Sequence, residues 1–202
     1  MSTLGVMGGT FNPVHYGHLL AAQEAMTEFH LDEILFIPNQ IPPHKVGEKD
    51  IADAEHRFLM VSLAIASNPA FKVSRVELDR LNVSYTMDTV RKLKKLYLAT
   101  EVSFITGADA LIKYEWYAFE ELLSLLTYFI VVTRPGFLES HLDQKIKEKN
   151  LKTPGKIKVL SIPGVGISSS DIRRRLAAGK PIRYLIPQPV EEYIYKYKLY
   201  IE

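Results

Sequence analysis

The chain has 202 residues, of which 47% are hydrophobic and 24% charged, and its formal net charge is only +2. These values are typical of a globular protein, and the small net charge does not indicate a general nucleic-acid-binding surface. The absence of cysteine excludes disulfides, thiolate nucleophiles and cysteine-ligated zinc.

Short apolar runs alternate along the chain with longer amphipathic segments. Runs rich in β-branched and aromatic residues predict buried strands at Leu4–Met7, Ile34–Ile37, Phe71–Val76, Val102–Thr106, Tyr128–Val132 and Ile157–Ile162. Helical periodicity covers roughly 18–30, 54–67, 88–98, 117–126, 139–149, 169–178 and 189–197. This order predicts an α/β fold with a doubly wound parallel sheet and helices on both faces. Because such a sheet binds its ligand beyond the carboxyl ends of the strands, the residues that follow each strand are the functional candidates.

The first strand leads into a glycine-rich turn and then a helix, with residues 8–18 reading GGTFNPVHYGH. Gly8 and Gly9 allow a sharp turn and a close approach of a ligand, and the amino end of the helix can hold phosphate oxygens. His15 and His18 project from one helical face and can donate hydrogen bonds to phosphate. Taken alone, a glycine pair is more often an ordinary turn, and a histidine is more often an incidental surface residue. A His-x-x-His metal site is disfavoured, because no obvious third ligand accompanies the pair.

The second strand is followed by paired prolines, which keep the connection extended. They present His44 and Lys45 as a compact basic pair suited to phosphate, although a solvated loop is the simpler reading of this pair alone. Arg57, near the start of the next helix, is equally compatible with a surface salt bridge and with a phosphate contact.

A polar segment, Ser84–Thr89, precedes the third predicted helix. Helix capping by Thr86 or Asp88 is its simplest interpretation. Gly107 and Asp109 follow the fourth strand, where a carboxylate can either accept ribose hydroxyl hydrogen bonds or cap a helix.

The only tryptophan, Trp116, stands next to Tyr117. Its indole can stack on a flat, electron-poor ring or fill the core. Arg134 follows the fifth strand, where it can pair with a carboxylate of the fold.

The last candidate motif opens a helix near the C-terminus. Ser168 and Asp171 fit a capping box, and three arginines, at 173–175, follow within the first turns. Cations near a helix amino terminus are mildly unfavourable, and a bound polyphosphate would offset this. Arg174 and Arg175 are also compatible with ordinary surface positions.

In their order, and over nearly the full length, these motifs resemble those of the nicotinate mononucleotide adenylyltransferases, within the nucleotidyltransferases that carry a His-x-Gly-His motif. The similar segments read GGTFNPVHYGH, PPHK, SYT, GAD, WY, RPG and SSSDIR in this chain. The family usually has aspartate where this chain has Asn12, which keeps an acceptor and adds a donor but carries no charge. The resemblance implies a Rossmann-like fold and transfer of the adenylyl group of ATP to nicotinate mononucleotide.

The resemblance also implies the roles of individual residues. The implied ATP-binding residues are Gly8, Gly9, Thr10, Phe11, His15, His18, Gly107, Asp109, Arg134, Ile167, Ser168, Ser170 and Arg173. The implied nicotinate mononucleotide-binding residues are Asn12, His44, Lys45, Ser84, Tyr85, Thr86, Trp116, Tyr117 and Arg134. The catalytic residues are expected to be His15, His18, Lys45 and Arg173, acting by positioning and charge stabilisation without a covalent intermediate. Mg²⁺ is expected to be carried by the ATP phosphates, with no metal ligands from the protein.

Other expectations concern the chain as a whole. No linker composition interrupts it, so a single domain over 1–202 is predicted, with about 165–202 as a helical closing segment. The lack of a secretory signal and of about 20 uninterrupted apolar residues predicts a cytoplasmic protein with neither membrane nor nucleic-acid partners. A homo-oligomer is compatible with the sequence, and a catalytically silent nucleotide sensor on the same scaffold is the alternative function.

Two segments are left with open roles. The 39–50 loop is the candidate for closing over substrate. The tyrosine-rich run at 193–200 is compatible with a closing helix and with an interface.

Overall fold

The structure is a computed structural model, and it describes residues 2–40, 50–80, 85–134, 144, 146–148, 153–164 and 166–201. The strands are β1 (Thr3–Gly9), β2 (Glu33–Pro38), β3 (Phe71–Val73), β4 (Glu101–Gly107), β5 (Phe129–Thr133) and β6 (Ile157–Ser161). The helices are α1 (Tyr16–Glu28), α2 (Ala54–Ile65), α3 (Thr86–Leu96), α4 (Ala108–Lys113), α5 (Phe119–Leu125), α6 (Ser169–Ala177) and α7 (Gln188–Lys196). Within the described ranges, no helix has the length and hydrophobicity to cross a bilayer.

The six strands of the described residues are all parallel and lie in the order β3-β2-β1-β4-β5-β6. The order reverses between β1 and β4, which leaves a crevice at their carboxyl ends. The predicted parallel α/β sheet is confirmed.

Each strand alternates its side chains between two apolar layers, because successive residues point to opposite faces of a sheet. In β2, Ile34 and Phe36 face one layer, whereas Leu35 and Ile37 face the other. The first layer is covered by α1, α2, α6 and α7, and the second by α3, α4 and α5. The prediction of helices on both faces is therefore confirmed.

Apart from shifts of one or two residues at the ends of elements, the described structure departs from the sequence-based prediction at one strand and one helix. The third strand ends at Val73 rather than Val76, because the chain turns there and Asp79 N–H donates to the Arg75 carbonyl. Helix α4 was not predicted, since its six residues are too short to show helical periodicity. Most of the helix predicted at 139–149 lies outside the described residues.

Candidate active site

Two adjoining cavities, of about 410 and 450 Å³, occupy the crevice at the ends of β1 and β4. Their shared wall consists of Gly8, Gly9, Phe11, His18, Thr106, Asp109, Ala110 and Ser169. Ligands of open α/β sheets bind at this position, because the connections on the two sides of the reversal diverge from it. Two molecules, one in each cavity, would meet at the shared wall.

The predicted site residues divide between the two cavities. Those lining the first are Gly8, Gly9, Phe11, His15, His18, Gly107, Asp109, Arg134, Ile167 and Ser168. Those lining the second include Thr10, Asn12, Tyr85, Thr86, Trp116, Tyr117, Ser170 and Arg173. Thr10, Ser170 and Arg173, assigned from the sequence to ATP, thus line the second cavity and not the first, whereas Arg134 lines the first alone. His44, Lys45 and Ser84 lie outside the described residues.

The two histidines stack on each other where α1 begins. Their ring centroids are 3.8 Å apart with an interplanar angle of 25°. The backbone N–H of His15 donates to Nδ1 of His18 at 3.2 Å. Because that nitrogen accepts a hydrogen bond, the neutral His18 ring carries its proton on Nε2. His18 is therefore a hydrogen-bond donor of fixed tautomer in the wall shared by the two cavities.

Both imidazoles are neutral at physiological pH. Burial lowers the pKa of His15 to about 2, assisted by the neighbouring His18 and Arg134. Burial likewise lowers the pKa of His18 to about 4. Among the described residues, Nδ1 of His15 is buried without a hydrogen-bond partner, so the N–H that a charged ring carries at that atom would have no acceptor. The pair can therefore act on a phosphate as neutral N–H donors, and a bound anion would favour their protonation.

Two glycines make room for aromatic rings at this site. A Cβ on Gly9 would lie 3.1 Å from Cζ of Phe11, whose ring contacts His18 edge-on at a centroid distance of 5.1 Å. A Cβ on Gly17 would lie 3.0 Å from Cε1 and Nδ1 of His15. The absence of side chains at these positions therefore sets where the rings of Phe11 and His15 lie.

The amino end of α6 faces both cavities. Ser168 is its N-cap, and the Ser168 hydroxyl accepts the N–H of Asp171 at 3.2 Å. The predicted cap is thus present, and the first N–H groups of the helix, which have no partner within it, are available to an anion. Arg174 and Arg175 pair with the Asp171 carboxylate at 3.0 and 2.9 Å, so these two arginines stabilise the helix.

Arg173 is held differently, by the loops around the site. Its Nη1 donates to the Asn12 carbonyl at 2.9 Å, and its Nε and Nη2 donate to the Asp50 carboxylate at 3.1 and 2.6 Å. The Ser169 hydroxyl adds a bond to the Pro13 carbonyl at 2.8 Å. Helix α6 is thereby fixed against the turn that follows β1.

The far end of the second cavity is aromatic. Trp116 packs edge-on against Phe129 at 5.1 Å, and its indole N–H donates to the Ala110 carbonyl at 3.2 Å. It lies against the core and also lines the cavity, so the two interpretations of this residue are not exclusive. The rings of Tyr85 and Tyr117 lie 5.1 Å apart at the mouth.

The amino end of α3 also reaches the second cavity. Its N-cap is Tyr85, which makes no side-chain capping bond. Capping by Thr86 or Asp88 is therefore wrong, because both residues lie inside the helix. Within the described residues, the first N–H groups of α3 therefore have no side-chain acceptor, and an anion in the second cavity can accept hydrogen bonds from them.

Two buried charged residues were not assigned correctly from the sequence. Arg57, only 1% exposed, donates to the backbone carbonyls of Ala52, Thr10 and Gln40 at 2.9, 2.8 and 3.2 Å. It holds the site loops together and lines neither cavity. The two roles considered from the sequence, a surface salt bridge and a phosphate contact, are therefore both wrong. Glu77, a buried carboxylate in the wall of the second cavity, accepts the Thr89 hydroxyl at 2.6 Å. No motif in the sequence distinguishes it.

Four comparisons relate the chain to known proteins. A model of the cytidylyltransferase-like family matches residues 6–175. A protein of Thermoanaerobacter sp. (strain X514) named "Probable nicotinate-nucleotide adenylyltransferase" is 45% identical over 98% of this chain and 93% of its own. A protein of the same name from Moorella thermoacetica is 43% identical over 98% of this chain and 91% of its own. The structure "Plasmodium falciparum nicotinic acid mononucleotide adenylyltransferase complexed with NaAD" has a TM-score of 0.78 at 23% identity, covering 99% of this chain and 98% of that one, which shows a common fold.

Proposed function

The chain belongs to the cytidylyltransferase-like family and, within it, to the nicotinate-nucleotide adenylyltransferases, and we propose that it carries out their reaction. It transfers the adenylyl group of ATP to nicotinate mononucleotide, giving nicotinate adenine dinucleotide and pyrophosphate, a step of NAD biosynthesis. The observation that carries this proposal is the pair of cavities that meet at Gly9, His18 and Ser169. A two-substrate transfer needs such a junction, because the reacting groups must be brought into contact in a fixed orientation.

ATP is assigned to the first cavity. Asp109 lies in the wall beside the end of β4, where a carboxylate can accept ribose hydroxyl protons. Arg134 and the amino end of α6 are the cationic and N–H groups suited to the phosphates. The α-phosphate would then lie near His15 and His18.

Nicotinate mononucleotide is assigned to the second cavity. Its pyridinium ring suits the aromatic wall formed by Trp116 and the neighbouring tyrosines. Its carboxylate suits the amino end of α3 at Thr86, where no side chain of the described residues caps the helix. An amide would present its own NH₂ to those N–H groups unless it flips, so nicotinate is preferred to nicotinamide.

The reaction is an in-line displacement. An oxygen of the mononucleotide phosphate forms a bond to the α-phosphorus of ATP, and the bond from that phosphorus to the bridging oxygen breaks as pyrophosphate leaves with the electron pair. The Nε2–H of His18 donates to the charged oxygens as the transition state forms. Positioning and electrostatic stabilisation are sufficient, as in other phosphoryl transfers.

Magnesium is proposed to enter with ATP. In the described part of the chain, no three His, Asp or Glu side chains are grouped so as to hold a metal ion. Mg²⁺ prefers phosphate oxygens and water in nucleotide sites, and it would neutralise charge on the leaving pyrophosphate. A cytoplasmic location remains a prediction.

The test is pyrophosphate release with ATP and Mg²⁺, comparing nicotinate mononucleotide, nicotinamide mononucleotide and phosphopantetheine as acceptors. The proposal predicts strong preference for nicotinate mononucleotide. Preference for another acceptor would overturn the assignment of Thr86 and Trp116. If folded protein that still binds ATP released no pyrophosphate with any of the three acceptors, the result would indicate a nucleotide sensor.

A further inference from the structure

The C-terminal end of the chain returns to the candidate active site. The Tyr200 hydroxyl lies 2.6 Å from Oδ1 of Asn12, a residue 188 positions earlier that is only 2% exposed. Asn12 lines the second cavity and belongs to the turn after β1. The tyrosine-rich run therefore does more than cover the sheet, since its last tyrosine bonds directly to a residue of the site.

The hydrogen bonds around Asn12 fix the orientation of its amide. Oδ1 accepts the backbone N–H of Ala52 at 3.0 Å, and Nδ2 donates to the Asp50 carbonyl at 2.9 Å. Each contact admits only one assignment of the amide oxygen and nitrogen. Tyr200 must then donate its hydroxyl proton to Oδ1. Burial raises the pKa of the Tyr200 hydroxyl, so it keeps that proton.

Asn12, Asp50 and Arg173 form a closed ring of hydrogen bonds. Asn12 donates to the backbone of Asp50, the Asp50 carboxylate accepts from Arg173, and Arg173 donates to the Asn12 carbonyl. Among the described residues, three of the five N–H groups of Arg173 are used in this ring, which leaves two for a ligand. The guanidinium is thus oriented before any phosphate binds.

We propose that Tyr200 is a positioning residue of the active site, which orients the Arg173 guanidinium in the wall of the second cavity through Asn12 and Asp50. A hydrogen bond to a buried amide holds that amide in one rotamer, and the amide in turn holds the segment that carries Asp50. This inference rests on the proposed adenylyl transfer, because it is read out through turnover.

The test compares Tyr200→Phe, which removes only the hydroxyl, with Tyr193→Phe. Tyr193 is a matched control, because its hydroxyl also makes a side-chain hydrogen bond, to Nδ1 of His56 at 2.9 Å, and lines neither cavity. We expect kcat/KM to fall about fivefold to tenfold in Tyr200→Phe, the usual effect of losing one such bond. We expect it to change less than twofold in Tyr193→Phe, and thermal unfolding will show that both variants are folded at the assay temperature.

A double-mutant cycle separates positioning from a general effect on the fold. In an Arg173→Lys background, which keeps the charge but loses the planar fork, Tyr200→Phe is expected to have less than a twofold further effect. An unchanged Tyr200→Phe enzyme, an equal loss in Tyr193→Phe, or full additivity with Arg173→Lys would each overturn the inference. Inactivity of the wild-type protein would instead contradict the proposed function.

Discussion

Replacing Gly17 by alanine should lower turnover with little change in stability. The new Cβ would lie 3.0 Å from two atoms of the His15 ring, whereas ordinary contacts begin at 3.4 Å, so the ring must move by about 0.4 Å or more. His15 cannot yield into solvent, because it is only 7% exposed and stacks on His18. A displacement of 1 Å can cost about 10²-fold in rate, and we therefore expect kcat to fall by about tenfold to 10²-fold.

Steady-state pyrophosphate release and urea unfolding together test this expectation. Gly17 lies in the first turn of α1, where the higher helix propensity of alanine, about 1 kcal/mol, offsets the cost of the tight contact with His15, so the free energy of unfolding should change by less than about 1 kcal/mol. The matched control is Gly166→Ala, whose Cβ would meet no atom of the described residues within 4 Å, and it should retain wild-type turnover.

The effect should also depend on His15. In a His15→Ala background, Gly17→Ala should cost less than about twofold, because the ring that it displaces is gone. Wild-type kcat in Gly17→Ala, or an equal loss in both backgrounds, would refute the steric argument.

The remaining predictions concern His18, the ionisation of both histidines, Trp116 and Arg57. His18→Ala should lower kcat by about 10²–10³ with little change in KM for ATP, the usual effect of removing one transition-state donor; near-full turnover would exclude this role. NMR titration of the free protein should show neither His15 nor His18 ionising near 6.5, the unperturbed pKa, because burial lowers the pKa of these rings to about 2 and about 4. As the pH falls below 6.5, the unfolded chain takes up protons that the folded chain does not, so the free energy of unfolding should fall by up to about 1.4 kcal/mol per pH unit for each ring; a ring midpoint near 6.5 would contradict this. Fluorescence of Trp116 should change on addition of nicotinate mononucleotide but not of ATP, since the indole lines only the second cavity; an equal response to ATP would place the substrates differently. Arg57→Met should lower the free energy of unfolding by about 3 kcal/mol in urea titrations, because it leaves three partly buried carbonyls without their charged donor; a loss below about 1 kcal/mol would show that the carbonyls form hydrogen bonds with other groups.

The fold could be predicted because the strands are short apolar runs between longer amphipathic segments. Five of the six strand predictions lie within two residues of the observed boundaries, and the parallel order follows from the alternation with helices. Helix α4 was not predicted from the sequence, because it has less than two turns and begins directly after β4. The third strand was extended too far because Val76 is buried within the following turn rather than in the sheet.

The site could be predicted only where a local motif carries it. The stacked histidines and the capped amino end of α6 follow from residues that are close in sequence. The position of Arg57 depends on carbonyls that three separate segments bring together, and no local pattern records that convergence. The bond between Tyr200 and Asn12 joins nearly the two ends of the chain, so it becomes visible only once the sheet has formed.

The division of the crevice into two substrate cavities is tested most directly by a crystal structure with nicotinate adenine dinucleotide bound. We expect the adenosine in the first cavity, the nicotinate ring in contact with Trp116 in the second, and the two bridging phosphates between Gly9 and His18. A nicotinate ring in the first cavity, or phosphates remote from His18, would contradict this division.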